Sequence, residues 1–415
     1  MINIAILGCG SRGRTYARIA SSMPERYKIT AACDMIPTRA GIVASLSEAG
    51  TPTYENDDDF FRAGKLADLL IIATQDRDHY GHAQRAIDLG YDILLEKPAA
   101  STLADCENLH RRALEKNVRI GLCFVLRYTP FYQAAKSVID SGRLGKIISM
   151  HASEGVEPFH QAHSYVRGHW RKTGDSSPML LAKCSHDTDL LCWFADSEIK
   201  NLSSYGKLDH FLKSQSPPEA PPRCTDGCPH AGSCIYDAHH YLTKKRSWLR
   251  MVFDGAESAS DEQIIDFIRT SPWGRCVYQC DNDVVDHQVI AGEMRNGISI
   301  TFSMTAFNSG RSLEIHGTKG TLKGGYAWKE AGAQELSFRD HATEKVEGIV
   351  IDHSHNTGYQ GHGGGDLGLI NSLDSMFGAN GTLPSGLDGL AGHRFAFLAE
   401  QSRVNARSVQ SLQES

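Results

Sequence analysis

The stretch "INIAILGCGSRGRTY" (residues 2–16) decides how the rest of the chain is read. Its first six residues are apolar and β-branched enough to predict a strand over 2–7. "GCGSRG" follows at once and places Gly8, Gly10 and Gly13 in G-x-G-x-x-G spacing, after which "RTYARIA" has helical character. A strand, a glycine turn and a helix form the context in which this spacing binds a dinucleotide. The first glycine permits a tight turn, the second lets backbone approach a pyrophosphate, and the third lets helix and strand pack closely. The helix N-terminus then offers unpaired N–H groups and a positive dipole end to the phosphates, with Ser11 and Arg12 at its lip. The spacing alone is weak, but a second signal supports it. "YKITAACD" (27–34) reads as another strand ending in Asp34, close to the offset of about 20 residues at which an acid binds the adenosine ribose hydroxyls. An acid there repels a 2′-phosphate, so NAD is favoured over NADP. Arg39 is near enough to keep NADP as the lesser alternative.

The alternation continues outward. "ADLLIIAT" (67–74), "YDILLEKPA" (91–99) and "VRIGLCFV" (118–125) read as strands, and "DHYGHAQRAIDLG" (78–90) reads as a helix with a glycine stop. Strands separated by helices predict a doubly wound parallel sheet of the Rossmann kind over residues 1–125, in an α/β chain. Ligands of such sheets lie beyond the carboxyl ends of the strands. That rule makes Thr74, Gln75, His79, Glu96 and Lys97 cofactor-side candidates. Lys97 stands out because it ends an apolar strand and precedes a proline.

The chain has 415 residues, a length that predicts two domains. Hydrophobic residues make up 41% and charged residues 22%, with a net charge of −6, so no nucleic-acid partner is expected. No run of about 18 apolar residues predicts a membrane span, and no signal-peptide pattern opens the chain. The expected location is the cytoplasm, where the 11 cysteines would stay as thiols.

With "GCGSRG", "AT…H…A…LGYDILLEKP", "RYTPFYQAAKSVIDSGRLGKI" (127–147) and a later H-x-x-D in order, the chain resembles the Gfo/Idh/MocA family of NAD(P)-dependent oxidoreductases. The resemblance covers nearly the whole chain, and its most specific element is Glu96-Lys97-Pro98. It implies a Rossmann domain followed by an α+β domain built on a large, open, mostly antiparallel sheet. It also implies hydride transfer at a hydroxyl-bearing carbon of a sugar, sugar derivative or cyclitol. A homodimer or homotetramer through the second-domain sheet is expected. His186 and Asp189 match the family's H-x-x-D, whose histidine lies beside the nicotinamide. One departure is Ala182, where many members carry an aspartate. Lys183, Asp187 or a group elsewhere must then take that role. The catalytic expectation is His186 as base, Lys97 polarising the substrate oxygen, and Lys183 close by, because a histidine already titrates near the operating pH.

The second domain is expected over 126–385, with an irregular insert at about 205–272 and a C-terminal helix (386–415) packing back on the core. The loop "PFHQAHSYVRGHWRKTGDSSP" (158–178) is rich in aromatics and arginines. It is read as a wall of the substrate pocket through His163, Tyr165, Trp170, Arg167 and Arg171, the arginines suiting an anionic group. Arg127, Asp187, Asp189 and His362 complete the substrate candidates. In "RCTDGCPHAGSC" (223–234), Cys224, Cys228 and Cys234 are close enough to suggest a structural zinc, although C-x3-C-x5-C matches no standard pattern and lacks a fourth ligand. Two further readings share the fold. One is an NAD-dependent glycoside hydrolase using transient oxidation. The other is a nucleotide-binding regulator with a degenerate site, supported only by Ala182.

Overall fold

The first strand of the chain, β1 (Ile2–Leu7), lies inside a seven-stranded sheet, between the strands Leu69–Ile72 and Tyr27–Cys33. The structure is a computed structural model that describes residues 1–326, 334–354 and 361–411. The other strands of this sheet are β2 (Tyr27–Cys33), β3 (Thr53–Tyr54), β4 (Leu69–Ile72), β5 (Asp92–Leu95), β6 (Arg119–Leu122) and β15 (Gly386–Leu387), in the order β15-β6-β5-β4-β1-β2-β3. Every neighbouring pair is parallel. Strand alternation sends Ala5 and Leu7 into the core on one face and Ile4 and Ile6 into that on the other, so both faces are buried. Strand order reverses between β1 and β4, which opens the crevice where such sheets hold ligands.

The remaining strands are β7 (Ile147–Val156), β8 (Ile199–Lys207), β9 (His287–Met294), β10 (Ser299–Thr305), β11 (Ser309–Gly317), β12 (Gly320–Tyr326), β13 (Gln334–Asp340), β14 (Val346–Gly348) and β16 (Val409–Gln410). They form a nine-stranded sheet in the order β14-β13-β12-β11-β7-β10-β9-β8-β16. Only β7 and β10 pair in parallel; the other neighbours are antiparallel. One face is covered by the helices Pro130–Asp140, Ser185–Ala195 and Leu390–Asn405, whose Phe131, Phe194 and Phe395 share a core with Met150, Ile290 and Phe302. The opposite face leaves Ile148, Tyr205 and Val289 exposed.

Two parts of the sequence reading change. Residues 361–377, expected in the second domain, return to the first sheet. There Leu369, Ile370 and Leu373 pack with Ile4 and Ile6, and the Tyr27 hydroxyl donates to the Ile370 carbonyl (2.9 Å). The C-terminal region is more than a helix: β15 extends the first sheet beside β6, and β16 extends the second beside β8. The stretch 274–286 is irregular, and β9 begins only at His287. The insert has a helix of its own, Asp261–Thr270, started by a Ser260/Gln263 capping box. It also has a small core in which Leu249, Ile264, Ile268 and Trp273 meet Phe159. Among the described residues, no helix is long and apolar enough to cross a membrane.

Candidate active site

The phosphate turn is shaped by close backbone contacts. Gly8 has φ +91°, and a Cβ there would lie 2.5 Å from the Ala73 carbonyl oxygen. A Cβ on Gly13 would lie 2.0 Å from the Gly8 carbonyl oxygen. Gly10 differs, since a Cβ on it would meet nothing within 4 Å among the described residues. It precedes the helix Ser11–Ser21, whose first turn carries no side-chain cap. Open space in front of uncapped N–H groups fits a pyrophosphate. Asp34 is nearly buried at the end of β2, held by the backbone N–H groups of Cys9 (2.7 Å) and Ile36 (2.8 Å). Ser11 lines a cleft of about 850 Å³.

Other cofactor-side candidates serve the scaffold. Arg12 turns inward, donating to Glu96 (2.8 Å), to both oxygens of Asp366 (2.6 and 3.1 Å) and to the Tyr16 hydroxyl (2.5 Å). Two buried carboxylates require a cation between them, which is why Arg12 and Glu96 pair instead of facing the dinucleotide. Burial would raise the Asp366 carboxyl, but His362 and Arg12 hold it well below the usual carboxylate range. Thr74 Oγ1 meets His82 Nδ1 at 3.1 Å, and Gln75 is exposed at the end of β4. His79 is fully buried as a strut, with Nδ1 2.7 Å from the Pro98 carbonyl oxygen and Nε2 3.2 Å from that of Thr74. His393, unnoticed in the sequence, accepts the Ala99 N–H through Nε2 (2.9 Å) and so carries its proton on Nδ1, towards the Gly389 carbonyl (3.3 Å). These two imidazoles fix the Lys97-Pro98-Ala99 turn.

Lys97 and His186 come together from different domains. Lys97 Nζ crosses from the end of β5 to donate to the Ala182 carbonyl (2.6 Å), one turn before His186. His186 is 7% exposed, and its Nδ1 is buried with no hydrogen-bond partner among the described residues. Its ring lies edge-on to Phe124 (5.8 Å between centroids) and 6.5 Å from that of His362. Burial, then the charges of Lys97 and its cationic neighbours, depress the imidazole far below its ordinary value. Burial also lowers the Lys97 ammonium; Glu96 and Asp76 oppose that shift, and Lys183 adds to it. Lys183 reaches Glu154 (3.2 Å), a fully buried acid on β7 that also pairs with Arg311 (2.9 Å). Glu154 and Arg311, neither singled out in the sequence, anchor this corner where Ala182 cannot.

The expected substrate wall is largely structural. Asp187 pairs with Arg311 (2.9 Å), not with a ligand-facing position. Asp189 receives Arg127, which also reaches Asp388 (3.1 Å). His163 meets the Tyr241 hydroxyl (2.5 Å) inside the insert core, and its imidazole is pushed down to about 3 by burial and then by Arg167. Arg167 is fully buried and donates to the carbonyls of Arg275 and Tyr236, both at 2.7 Å. Arg171 pairs with Asp281 (2.9 Å). Trp170 Nε1 donates to Asp76 (3.2 Å), a buried acid that also accepts from Ser176 (2.8 Å) and Ser177 (3.2 Å) and stitches the loop to the first domain. The signal missed was reciprocity: each of these charges has an opposite charge or carbonyl far away in sequence. Tyr165 is buried beside His160 and Trp170, and His362 is half-exposed at the mouth, held by Asp366.

The zinc expectation is not supported. Among the described residues, no group of three His, Cys, Asp or Glu side chains could hold a metal ion. Arg167 Nη2 donates to Cys224 Sγ (3.5 Å), and that guanidinium puts positive charge where a metal would have to sit. His230 Nε2 faces the Pro218 carbonyl oxygen (2.8 Å).

Comparison with known proteins agrees with this architecture. Residues 2–124 match the family described as "Oxidoreductase family, NAD-binding Rossmann fold", and residues 132–323 match the "GFO/IDH/MocA C-terminal domain". YteT of Bacillus subtilis (strain 168), named as an oxidoreductase, is 24% identical over 386 residues, covering 89% of this chain and 88% of that protein. Inositol 2-dehydrogenase 2 of Saccharopolyspora erythraea is 26% identical over 212 residues, 49% of this chain and 57% of that enzyme, so the match spans little more than half its length. The solved scyllo-inositol dehydrogenase of Lactobacillus casei, with bound NAD(H) and scyllo-inositol, superposes with a TM-score of 0.66 at 17% identity over 99% of both chains. At that identity the likeness is one of fold.

Proposed function

Because the chain belongs to the GFO/IDH/MocA oxidoreductase family, we propose that it is an NAD-dependent dehydrogenase of a sugar, sugar derivative or cyclitol. The observation that carries the reading is the meeting of Lys97 and His186: a cross-domain lysine beside a buried imidazole whose Nδ1 has no partner among the described residues. Gly8, Gly10, Gly13 and the N-terminus of the helix Ser11–Ser21 would hold the pyrophosphate, and Asp34 the adenosine ribose. NAD, when bound, supplies the hydride acceptor. His186 takes the hydroxyl proton, and Lys97 stabilises the negative charge developing on the substrate oxygen. Burial and then the surrounding cations depress the imidazole, and the same cations acidify a hydroxyl placed beside it, which favours transfer of its proton to His186. The inositol dehydrogenase relatives support a cyclitol or sugar. The arginines first read as anion-binding are engaged elsewhere, which favours an uncharged polyol. The 11 free cysteines support a reducing, cytoplasmic compartment.

Purified protein incubated with NAD and a panel of inositols, aldoses and their glycosides tests this. NADH absorbance rising in step with ketone product is the expected result. Free sugar released from a glycoside without NADH accumulation would assign the glycoside-cleaving reading instead. Failure to bind NAD at all would remove both.

Assembly follows the same reading. We infer a homodimer or homotetramer formed through the open face of the nine-stranded sheet, where Ile148, Tyr205 and Val289 are exposed. Light scattering on the eluting protein should return two or four chain masses, and Tyr205→Glu should shift the mass towards one chain. A monomeric wild type rules the assembly out.

A further inference from the structure

The insert does not end at its own small core. Segment 247–258 crosses to the first domain, and Trp248 and Phe253 line the cleft opposite Ser11, Arg14 and Thr15. At its tip, Asp254 Oδ2 accepts from Arg39 through Nε (2.9 Å) and Nη2 (2.6 Å), while Oδ1 lies 3.4 Å from Arg14. The tip is held on both sides. Phe253 stacks on Phe267 with centroids 4.8 Å apart and rings within 4° of parallel, and Ala256 is buried in the insert core. Gly255, at φ +87°, makes the turn between them.

Arg39 stands in the first turn of the helix Pro37–Ala44, just beyond Asp34. That is the place from which an arginine grips the 2′-phosphate that distinguishes NADP from NAD. Arg14 adds a second guanidinium on the helix that follows the glycine turn. Two such forks would make a competent phosphate site. Asp254 occupies the first, reaches the second and adds negative charge between them.

We propose that Asp254 is a cofactor-selectivity residue: the insert carries it onto Arg39 and Arg14 and so withholds them from the 2′-phosphate of NADP. The inference rests on the NAD reading and deepens it, because exclusion of NADP then comes from the insert as well as from Asp34.

Fluorescence titration of NAD and NADP with full-length wild type, Asp254→Ala and the double variant Asp254→Ala/Arg39→Ala tests it. Asp254→Ala should shift the ratio of the two dissociation constants towards NADP by roughly tenfold or more, the worth of one charge-assisted hydrogen bond regained. The double variant should lose that gain. An unchanged ratio in Asp254→Ala, or a gain that survives removal of Arg39, overturns the proposal and leaves an ordinary surface ion pair. Wild type that binds neither nucleotide fails the NAD reading itself, and the selectivity proposal falls with it. Wild type that binds NAD with no ratio change fails only the latter.

Discussion

His186→Ala is expected to lower turnover by roughly 10²–10⁴-fold while leaving NAD affinity nearly intact, the usual worth of one positioned acid–base group. The imidazole is buried, bears an Nδ1 with no partner among the described residues and stands one turn from the carbonyl that receives Lys97. The glycine turn and Asp34 are separate from it, so cofactor binding has no reason to follow turnover down. The pH profile gives an independent signature. Oxidation needs the neutral imidazole, which exists above its pKa. That pKa lies well below the ordinary 6.5, so activity should persist below pH 6.5 and fail only at lower pH. Lys97 is among the cations that depress it. Lys97→Met should therefore raise the imidazole pKa and move the acid limb upwards, besides lowering turnover. Near-normal turnover in His186→Ala on a substrate the wild type oxidises would sink His186 as the base. An acid limb that stays in place in Lys97→Met would sink the coupling between the two.

Arg127→Ala should cost about 3–5 kcal/mol of unfolding free energy, because it strips a buried carboxylate of its cation. Asp189 is fully buried on the helix Ser185–Ala195, and burial already raises its carboxyl to about 6 against the pull of Arg127. Without Arg127 that shift grows. A carboxyl whose folded pKa is raised costs stability once pH exceeds its unfolded value, so the loss in Arg127→Ala should be larger at pH 8 than at pH 5. Urea unfolding at the two pH values checks both size and sign. A variant of wild-type stability with a weakened KM would instead return Arg127 and Asp189 to the substrate site.

The aspartate of H-x-x-D shows where sequence reading stops. Its family match marked Asp189 as a site residue, and the fold uses it as the buried half of an ion pair with a residue 62 positions earlier. His163 and Arg167 went the same way. An aromatic, basic loop has the composition of a binding wall, but here the insert covers it: His163 meets the Tyr241 hydroxyl, and Arg167 donates to the Tyr236 carbonyl.

What local pattern can settle here is the first sheet and the glycine turn at its edge. Strand period, glycine spacing and the acid after β2 are properties of short segments, because the steric limit that Gly8 sets on Gly13 and the alternation of β1 act within a few residues. The placement of Lys97 against Ala182, the Glu154–Lys183 pair that stands where an aspartate was missing, and the reach of Asp254 to Arg39 arose only in three dimensions. Each joins residues far apart in the chain. The energy of a charge pair depends on distance and burial, and neither is written in the order of residues along the chain.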